Sequence, residues 1–260
     1  MRTHHLIPGL LTIALAAAGT MAAESRPADP DKSPHIVLLA GEPEYHSDRT
    51  LEGLARELTA RYGLRTTLLK YKNDKDFPGL EKLREADLVV FYLRFLTLPD
   101  EQMAHIRAYL DSGRPVVAIR TSTHAFLNWK DFAPQVLGTP WWQFHYGHSS
   151  SSDVRIIPER AKHPILRGVD ESFHVRSWLY YVHPLHPKAV PLMVGTSVKP
   201  ERENPVENPV AWTFEHKGGR VFYTSMGHPE DFELKPFRTL LINGIFWALD
   251  REPPATAPSK

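Results

Sequence analysis

Along the chain, short continuous apolar runs alternate with stretches in which apolar residues recur at helical spacing. His35–Gly41, HIVLLAG, is a continuous run of the kind expected for a strand buried on both faces. Behind it Leu51, Leu54, Ala55 and Leu58 share one helical face, with Ser47 or Asp48 placed to cap the helix and Gly63 just past its end. Leu64–Leu69 and Asp87–Leu93 read as the second and third strands. Pro99 opens a second helix whose inner face is Met103, Ile106 and Leu110, and Ser112-Gly113 closes it. Pro115–Arg120 is the fourth strand. Strands alternating with helices predict parallel pairing through right-handed crossovers, hence an α/β fold built on a three-layer, doubly wound, mostly parallel sheet of the flavodoxin-like kind.

The second half is less regular. Phe126–Pro187 is rich in His, Trp, Tyr and Pro with little helical periodicity, which predicts long loops or an inserted cap beside the sheet, with Ser149–Ser152 as a mobile loop. Strands return at Ala189–Thr196, Pro209–Glu215 and Gly219–Ser225, and Lys217-Gly218-Gly219 marks a hairpin between the last two. A final helix presents Phe237, Leu240, Leu241, Ile245 and Ala248 as its buried face. There is no internal repeat.

Composition adds that 260 residues with 42% hydrophobic and 23% charged content can bury one sizeable core. Lys and Arg total 31 against 30 Asp and Glu, and no basic run tracks a phosphate backbone, so nucleic acid is not an expected partner. The amino terminus pairs a basic start with an apolar run from Leu6 to Ala18 and small residues to Ala23, the layout of a secretory signal peptide over residues 1–23. The rival reading, a membrane anchor, needs about 20 apolar residues, more than are present. Residues 24–34 then read as a solvated linker, 35–250 as the folded domain and 251–260 as a disordered tail. The expectation is export to the periplasm or beyond, with no membrane association after cleavage. The chain has no cysteine, so neither a thiol nucleophile nor a thiolate metal ligand is available. A homo-oligomer is compatible with all of this.

Candidate chemistry gathers in loops that follow strands, where open α/β sheets bind ligands. The first is GEPEYHS, with Glu44, Tyr45 and His46 ahead of a helix N-terminus. The second is the turn after VVAI, with Arg120, Thr121, Ser122, Thr123 and His124. The third is WWQFHYGH, where Trp141 and Trp142 offer platforms for a ring, or simply pack, while His145 and His148 supply polar edges. The fourth is SMGHPEDF, with His228 and Asp231. Three chemistries compete. Imidazoles near ~6.5 can exchange protons with a neutral polyol or keto compound, which makes His124, His145 and His228 acid/base candidates. Imidazoles with Asp231 or Glu44 could hold a divalent metal for a hydrolase or lyase, but no HExxH-type spacing fixes one, so no metal ligand is assigned. A serine hydrolase lacks its GxSxG elbow, and Ser122 sits only two residues from His124. His105, His163, His183 and His186 read as surface or loop residues.

The runs IRTSTHAF, FHYG, PVAWTFEHKGGRVFYTSMGHPEDF and LLINGIFWAL, in that order, resemble the ThuA-like (trehalose utilisation) family across about His35 to Asp250. The resemblance implies a class I glutamine amidotransferase-like fold. It excludes glutaminase chemistry, because the turn that carries a cysteine nucleophile in amidotransferases reads Thr121-Ser122-Thr123-His124 here. It supports Glu44, Tyr45, Arg120, His124, His145, His228 and Asp231 as site residues, and sets His46 and His148 aside as features of this chain. It implies an enzyme that takes a small carbohydrate, a glycoside or keto-sugar, and acts as a hydrolase, lyase or isomerase without a resident cofactor. In that scheme His124 and His228 move protons, Arg120 and Glu44 orient hydroxyl or carbonyl groups, and Trp141, Trp178 and Tyr180 line the pocket. A single site of this kind requires His124 and His228 to share a cavity. The alternative from another class is a non-catalytic carbohydrate-binding or accessory module, whose histidines would be tied to backbone.

Overall fold

A computed structural model of the protein describes residues 33–201 and 207–252. The expected signal peptide and most of the expected linker and tail lie outside these residues. The described chain runs β1 (His35–Gly41), α1 (Ser47–Tyr62), β2 (Arg65–Lys70), β3 (Leu88–Leu93), α2 (Asp100–Asp111), β4 (Val116–Ile119), β5 (Ser151–Ile156), β6 (Ser172–Val175), β7 (Val190–Val198), β8 (Asn208–His216), β9 (Gly219–Thr224) and α3 (Lys235–Ala248). No helix among the described residues is long and apolar enough to cross a membrane.

All these strands form one sheet in the order β2-β1-β3-β4-β9-β8-β7-β5-β6. The α/β class holds, but the mostly parallel sheet does not, because the sheet is mixed. From β2 to β9 every pairing is parallel. From β9 outward every pairing is antiparallel. The cause is local: the hairpin at Lys217-Gly218 folds β9 back on β8, and a two-residue link can only join antiparallel strands. The inner parallel strands β1 and β3 are buried at every residue, whereas the edge strand β2 buries only Leu69 fully. β5 instead alternates, with Ser152, Val154 and Ile156 inward.

The region expected to be loops therefore contains two strands. Ser149–Ser152 is no mobile loop, since Ser151 and Ser152 pair with β7 and the Ser150 hydroxyl donates to Gly147 O at 2.6 Å. Serines mask that strand in the sequence, and only its partner β7 gives them a buried face. The helix faces are as expected: Leu51, Leu54, Ala55 and Leu58 of α1, Met103, Ile106 and Leu110 of α2, and Phe237, Leu240, Leu241, Ile245 and Ala248 of α3 are all buried. The cap of α1 differs. His46, in the left-handed region at φ 51°, precedes the helix without a side-chain cap. Ser47 turns back instead, its hydroxyl donating to Glu42 O and accepting from Glu42 N–H, which knots the loop after β1.

Strand order reverses between β1, which pairs with β2 on one side, and β3, which leads to β4 on the other. A crevice opens at the C-terminal ends of strands at such a switch point. Gly227, after β9, packs against β3 and β4. Its φ of 141° suits glycine alone, its carbonyl accepts from the Tyr92 hydroxyl at 2.6 Å, and an added Cβ would lie 2.6 Å from Ile119.

Candidate functional site

A cavity of about 230 Å³ occupies this crevice. The loop after β1 brings Glu44 and Tyr45, the loop after β3 brings Arg94 and Phe95, and the turn after β4 brings Thr121 and His124. Trp142, His145 and His148 come from the third loop, and Trp178 and Tyr180 from the segment between β6 and β7. His124 is 3% exposed, and its ring lies 4.8 Å from Phe95, 5.1 Å from Trp142 and 6.1 Å from Tyr180. Glu44 pairs with Arg94 at 2.7 Å, so the two charges lining the wall cancel.

Over this fold and site the sequence matches the trehalose utilisation family, ThuA, across residues 36–248. The chain belongs to the ThuA family. Solved structures agree on the fold: a ThuA-like protein of Bacteroides uniformis shares 18% identity at a TM-score of 0.66, covering 89% of this chain and 98% of its own. A ThuA-like protein of Parabacteroides merdae shares 15% at a TM-score of 0.67, covering 88% and 94%. The cold-adapted beta-galactosidase of Rahnella sp. R3 shares 15% at a TM-score of 0.55, and the similar region covers 88% of this chain but 33% of that enzyme. No curated protein matches the chain.

In this ThuA chain the turn after β4 is a strained elbow. Arg120 holds φ 47°, and the Tyr223 hydroxyl pins it by donating to Arg120 O at 2.6 Å. The side chain is fully buried. Its Nη1 donates to Ser225 O at 2.9 Å and its Nη2 to the Tyr45 hydroxyl at 3.2 Å. The guanidinium carbon lies 4.3, 4.8 and 4.9 Å from the ring centres of Tyr45, Trp178 and Tyr180. No carboxylate pairs with it among the described residues, and its Nε has no hydrogen-bond partner there. Arginine does not deprotonate in proteins, so an uncompensated positive charge sits directly behind the cavity wall.

That charge shapes the histidines. Burial, then Arg94, Arg120 and His145, hold His124 well below the ordinary imidazole range. Burial, then His148 and Arg120, bring His145 down to about 4. Both rings are neutral at pH 7, and their hydrogen bonds separate them. His145 Nδ1 accepts the Gly147 N–H at 3.1 Å, so the neutral ring carries its proton on Nε2 and is a donor. His124 Nδ1 meets the Thr123 hydroxyl at 3.1 Å, a group that can accept, and this permits a free lone pair on Nε2. Tyr45 is held protonated by burial, and because its oxygen already accepts from Arg120, its hydroxyl is left to donate.

Other expected site residues are placed elsewhere. His228 does not line the cavity. It abuts Tyr45 and Trp178 at 5.9 and 6.4 Å, and its Nδ1 accepts the Glu230 N–H to cap the short helix Pro229–Glu233. Asp231 is wholly buried, and its oxygens accept from the N–H groups of Arg176, Ser177, Gly227 and His228 and from the Ser177 hydroxyl. It stitches loops together and has no access to a ligand. Ser122 bridges β3, donating to Phe91 O and accepting from Leu93 N–H. Trp141 yields its place in the lining to Trp142, and Arg120 reaches the cavity only through the rings in front of it. Among the described residues no three His, Asp or Glu side chains gather as a metal-ligand set.

Three contributors escaped the sequence reading, Arg94, Phe95 and Glu42. Arg94 and Phe95 directly follow a strand, a position that could have flagged them. His148, which the sequence reading named in the third loop and then set aside, lines the cavity, with its ring 4.2 Å from that of His145. Glu42 is buried, and desolvation raises its carboxyl to about 7 even though the Tyr45 and Glu44 N–H groups donate to it. It fixes the loop that carries Tyr45.

Proposed function

We propose that this ThuA protein is an exported enzyme that acts on a small keto-sugar by removing the proton beside its carbonyl. The observation that carries this reading is the Arg120 cation, without a carboxylate partner among the described residues, behind the wall of a cavity that the neutral His124 and His145 line. Abstracting a proton next to a carbonyl creates an enolate, and a fixed positive charge in a low-dielectric site favours that anion over the neutral ground state. In this reading His124 Nε2 takes the proton. The carbonyl oxygen receives hydrogen bonds from the Tyr45 hydroxyl, which Arg120 polarises, and from His145 Nε2–H. The bonding pair left on carbon becomes the enolate double bond. On collapse that pair expels a glycosidic oxygen from the β carbon, and the proton on His124 passes to the leaving oxygen. Atoms balance without an oxidant or a metal in this step, and addition of water to the resulting enone would complete a net hydrolysis.

An unoxidised glycoside fits less well. Most glycosidases need two carboxyl groups flanking the bond, whereas among the described residues Glu44, already paired with Arg94, is the one carboxylate that lines this cavity. The test is incubation of the mature protein with a glycoside and its keto derivative in D2O. Deuterium at the carbon beside the carbonyl, with release of the aglycone from the keto form alone, is the expected result. Equal turnover of the parent glycoside would overturn it.

One observation favours a binding module instead: His145 and His228 both spend Nδ1 on backbone N–H groups. That reading predicts sugar affinity without deuterium exchange.

A further inference from the structure

Donors outnumber acceptors in the wall of the cavity. Thr121 and Trp142 both line it, and the buried Thr121 hydroxyl and Trp142 Nε1–H have no hydrogen-bond partner among the described residues. The Tyr45 hydroxyl, whose oxygen accepts from Arg120 Nη2, is left to donate. His145, whose Nδ1 accepts the Gly147 N–H, presents Nε2–H. Against these stand the lone pair that Thr123 permits on His124 Nε2 and the carboxylate of Glu44, which Arg94 already holds at 2.7 Å. Arg120, wholly buried and without a carboxylate partner among the described residues, adds a positive charge behind the rings of Tyr45, Trp178 and Tyr180.

We propose that this cavity is a binding site for a small monocarboxylate, an organic acid no larger than one sugar ring, which takes the place of the enolate and so competes with the keto-sugar. The competition rests on the keto-sugar reading of the site, whereas the binding does not.

Hydrogen-bond bookkeeping favours the acid over a neutral ligand. A sugar hydroxyl brings a proton of its own with every lone pair, so a neutral sugar sets donors against donors here. A carboxylate brings about four lone-pair positions and no proton. Leaving a buried donor without a partner is costly, and an ionised acceptor forms the stronger bond with it. Rotation about one side-chain torsion is enough to turn the Thr121 hydroxyl toward a ligand. The carboxylate is also the counter-charge that Arg120 lacks, and the attraction is strong where rings exclude water. A site whose charge favours an enolate over a ketone favours a resident anion over a neutral sugar by the same physics.

Charge and size narrow the class. One cation without a counter-charge matches one negative charge, whereas a phosphomonoester carries roughly −1.5 to −2 at neutral pH. The volume of about 230 Å³ lies below the roughly 300–1,000 Å³ of pockets for drug-sized ligands, which limits the occupant to about one ring. Glu201 sets the orientation. It lines the adjoining space beside His145 and His148, and the Ser149 N–H holds its carboxyl below the usual range. That anion repels a second one, so the acid group of the ligand points inward.

The test measures binding apart from turnover. Calorimetric titration of the mature full chain at neutral pH would compare glucose, glucuronate and glucose 6-phosphate, which share a ring and differ in charge. Glucuronate is expected to bind at least about tenfold tighter than glucose and tighter than the phosphate ester. Thr121→Val and Trp142→Phe should each weaken glucuronate by about fivefold or more and leave glucose within about twofold. Neither should lower the melting temperature of the ligand-free protein, because each removes a donor that bonds nothing in the fold. Arg120→Met should bring glucuronate down to the affinity of glucose. With a keto-sugar as substrate, glucuronate should raise KM and leave kcat unchanged.

Equal affinity for glucose and glucuronate overturns the site, and tighter binding of the phosphate ester overturns the monocarboxylate. A preference for glucuronate that survives all three variants places the acid elsewhere and overturns it too, as does a lowered melting temperature of Thr121→Val, which would assign that hydroxyl to the scaffold. Glucuronate binding without deuterium exchange on a keto-sugar keeps the anion site and defeats only the proposed chemistry. Exchange without a preference for glucuronate does the reverse.

Discussion

Arg120 both stacks on Tyr45 and donates to its hydroxyl, with the guanidinium carbon 4.3 Å from the ring centre and Nη2 3.2 Å from the oxygen. The pair couples a buried cation to a phenol at the cavity wall, and its effect can be read in the histidines. Arg120→Met removes the charge but keeps an apolar side chain among the rings. Turnover of a keto-sugar should then fall about 10- to 100-fold, since one polarised donor to a developing oxyanion is worth a few kcal/mol. NMR titration should find His145 above its present value of about 4, because Arg120 is one of the charges that depress it. A His145 titration that does not move would show that the cation acts only on packing.

His124 should separate kinetically from His228. His124→Ala is expected to lower kcat by about 10²- to 10⁴-fold with KM little changed, the loss of a general base. His228→Ala should leave kcat within a few-fold of the parent. It should lower the melting temperature instead, because it strips a cap worth about 1 kcal/mol from the short helix after it. Parallel assays and melting curves of the two variants distinguish these outcomes.

Acid should weaken the fold through these same rings. A histidine whose folded pKa is depressed binds a proton more readily once unfolded, so its contribution is complete above ~6.5 and declines as pH falls toward the folded value. For His145 that window runs from ~6.5 down to about 4, and for His124 it extends lower in the same direction. Denaturation midpoints should therefore drop steadily below pH ~6.5, and the double substitution of His124 and His145 by Gln should flatten that slope. Activity should follow the opposite logic and persist below pH ~6.5, since a base of depressed pKa is still unprotonated there.

Asp231 should prove structural. Asp231→Asn replaces an acceptor for four N–H groups and a hydroxyl by a group that is half donor, at a cost on the order of 3 kcal/mol from lost charge-assisted bonds. Chemical denaturation should show this loss. Sugar affinity of the folded fraction should be nearly unchanged, and a selective loss of affinity would return Asp231 to the ligand.

Export has its own measurement. Amino-terminal sequencing of the protein recovered from outside the cytosol should begin at Glu24, after the small residues that end the apolar run. Recovery of an uncleaved chain in the membrane fraction would favour the anchor instead.

Much of the fold was legible because burial leaves a periodic trace. β1, β3 and the inner faces of α1, α2 and α3 are apolar at the spacing their geometry demands, and those residues are buried. β5 left no such trace, because SSDVRI earns its inward face only when β7 lies beside it. The rule that sites gather at strand ends located Glu44, Tyr45 and His124 in the cavity wall, yet proximity in sequence could not tell which neighbours turn toward it. Ser122 and Thr121 are adjacent, and one bonds β3 while the other faces the cavity.

The sequence alone determined the alternation of strands and helices, the absence of thiol chemistry and the loops that carry polar residues. These follow from composition and from periods of two and 3.6 residues, which are local properties. Only the tertiary structure decided which side of the sheet is parallel, that Asp231 and His228 bond the loops beside the cavity and do not line it, and that Arg120 stands buried without a counter-charge among the described residues. Partnership between groups far apart in the chain, as between Arg120 and Ser225 or Asp231 and Ser177, depends on how strands are ordered. That order is set by long-range packing, and it leaves no periodic mark on the chain itself.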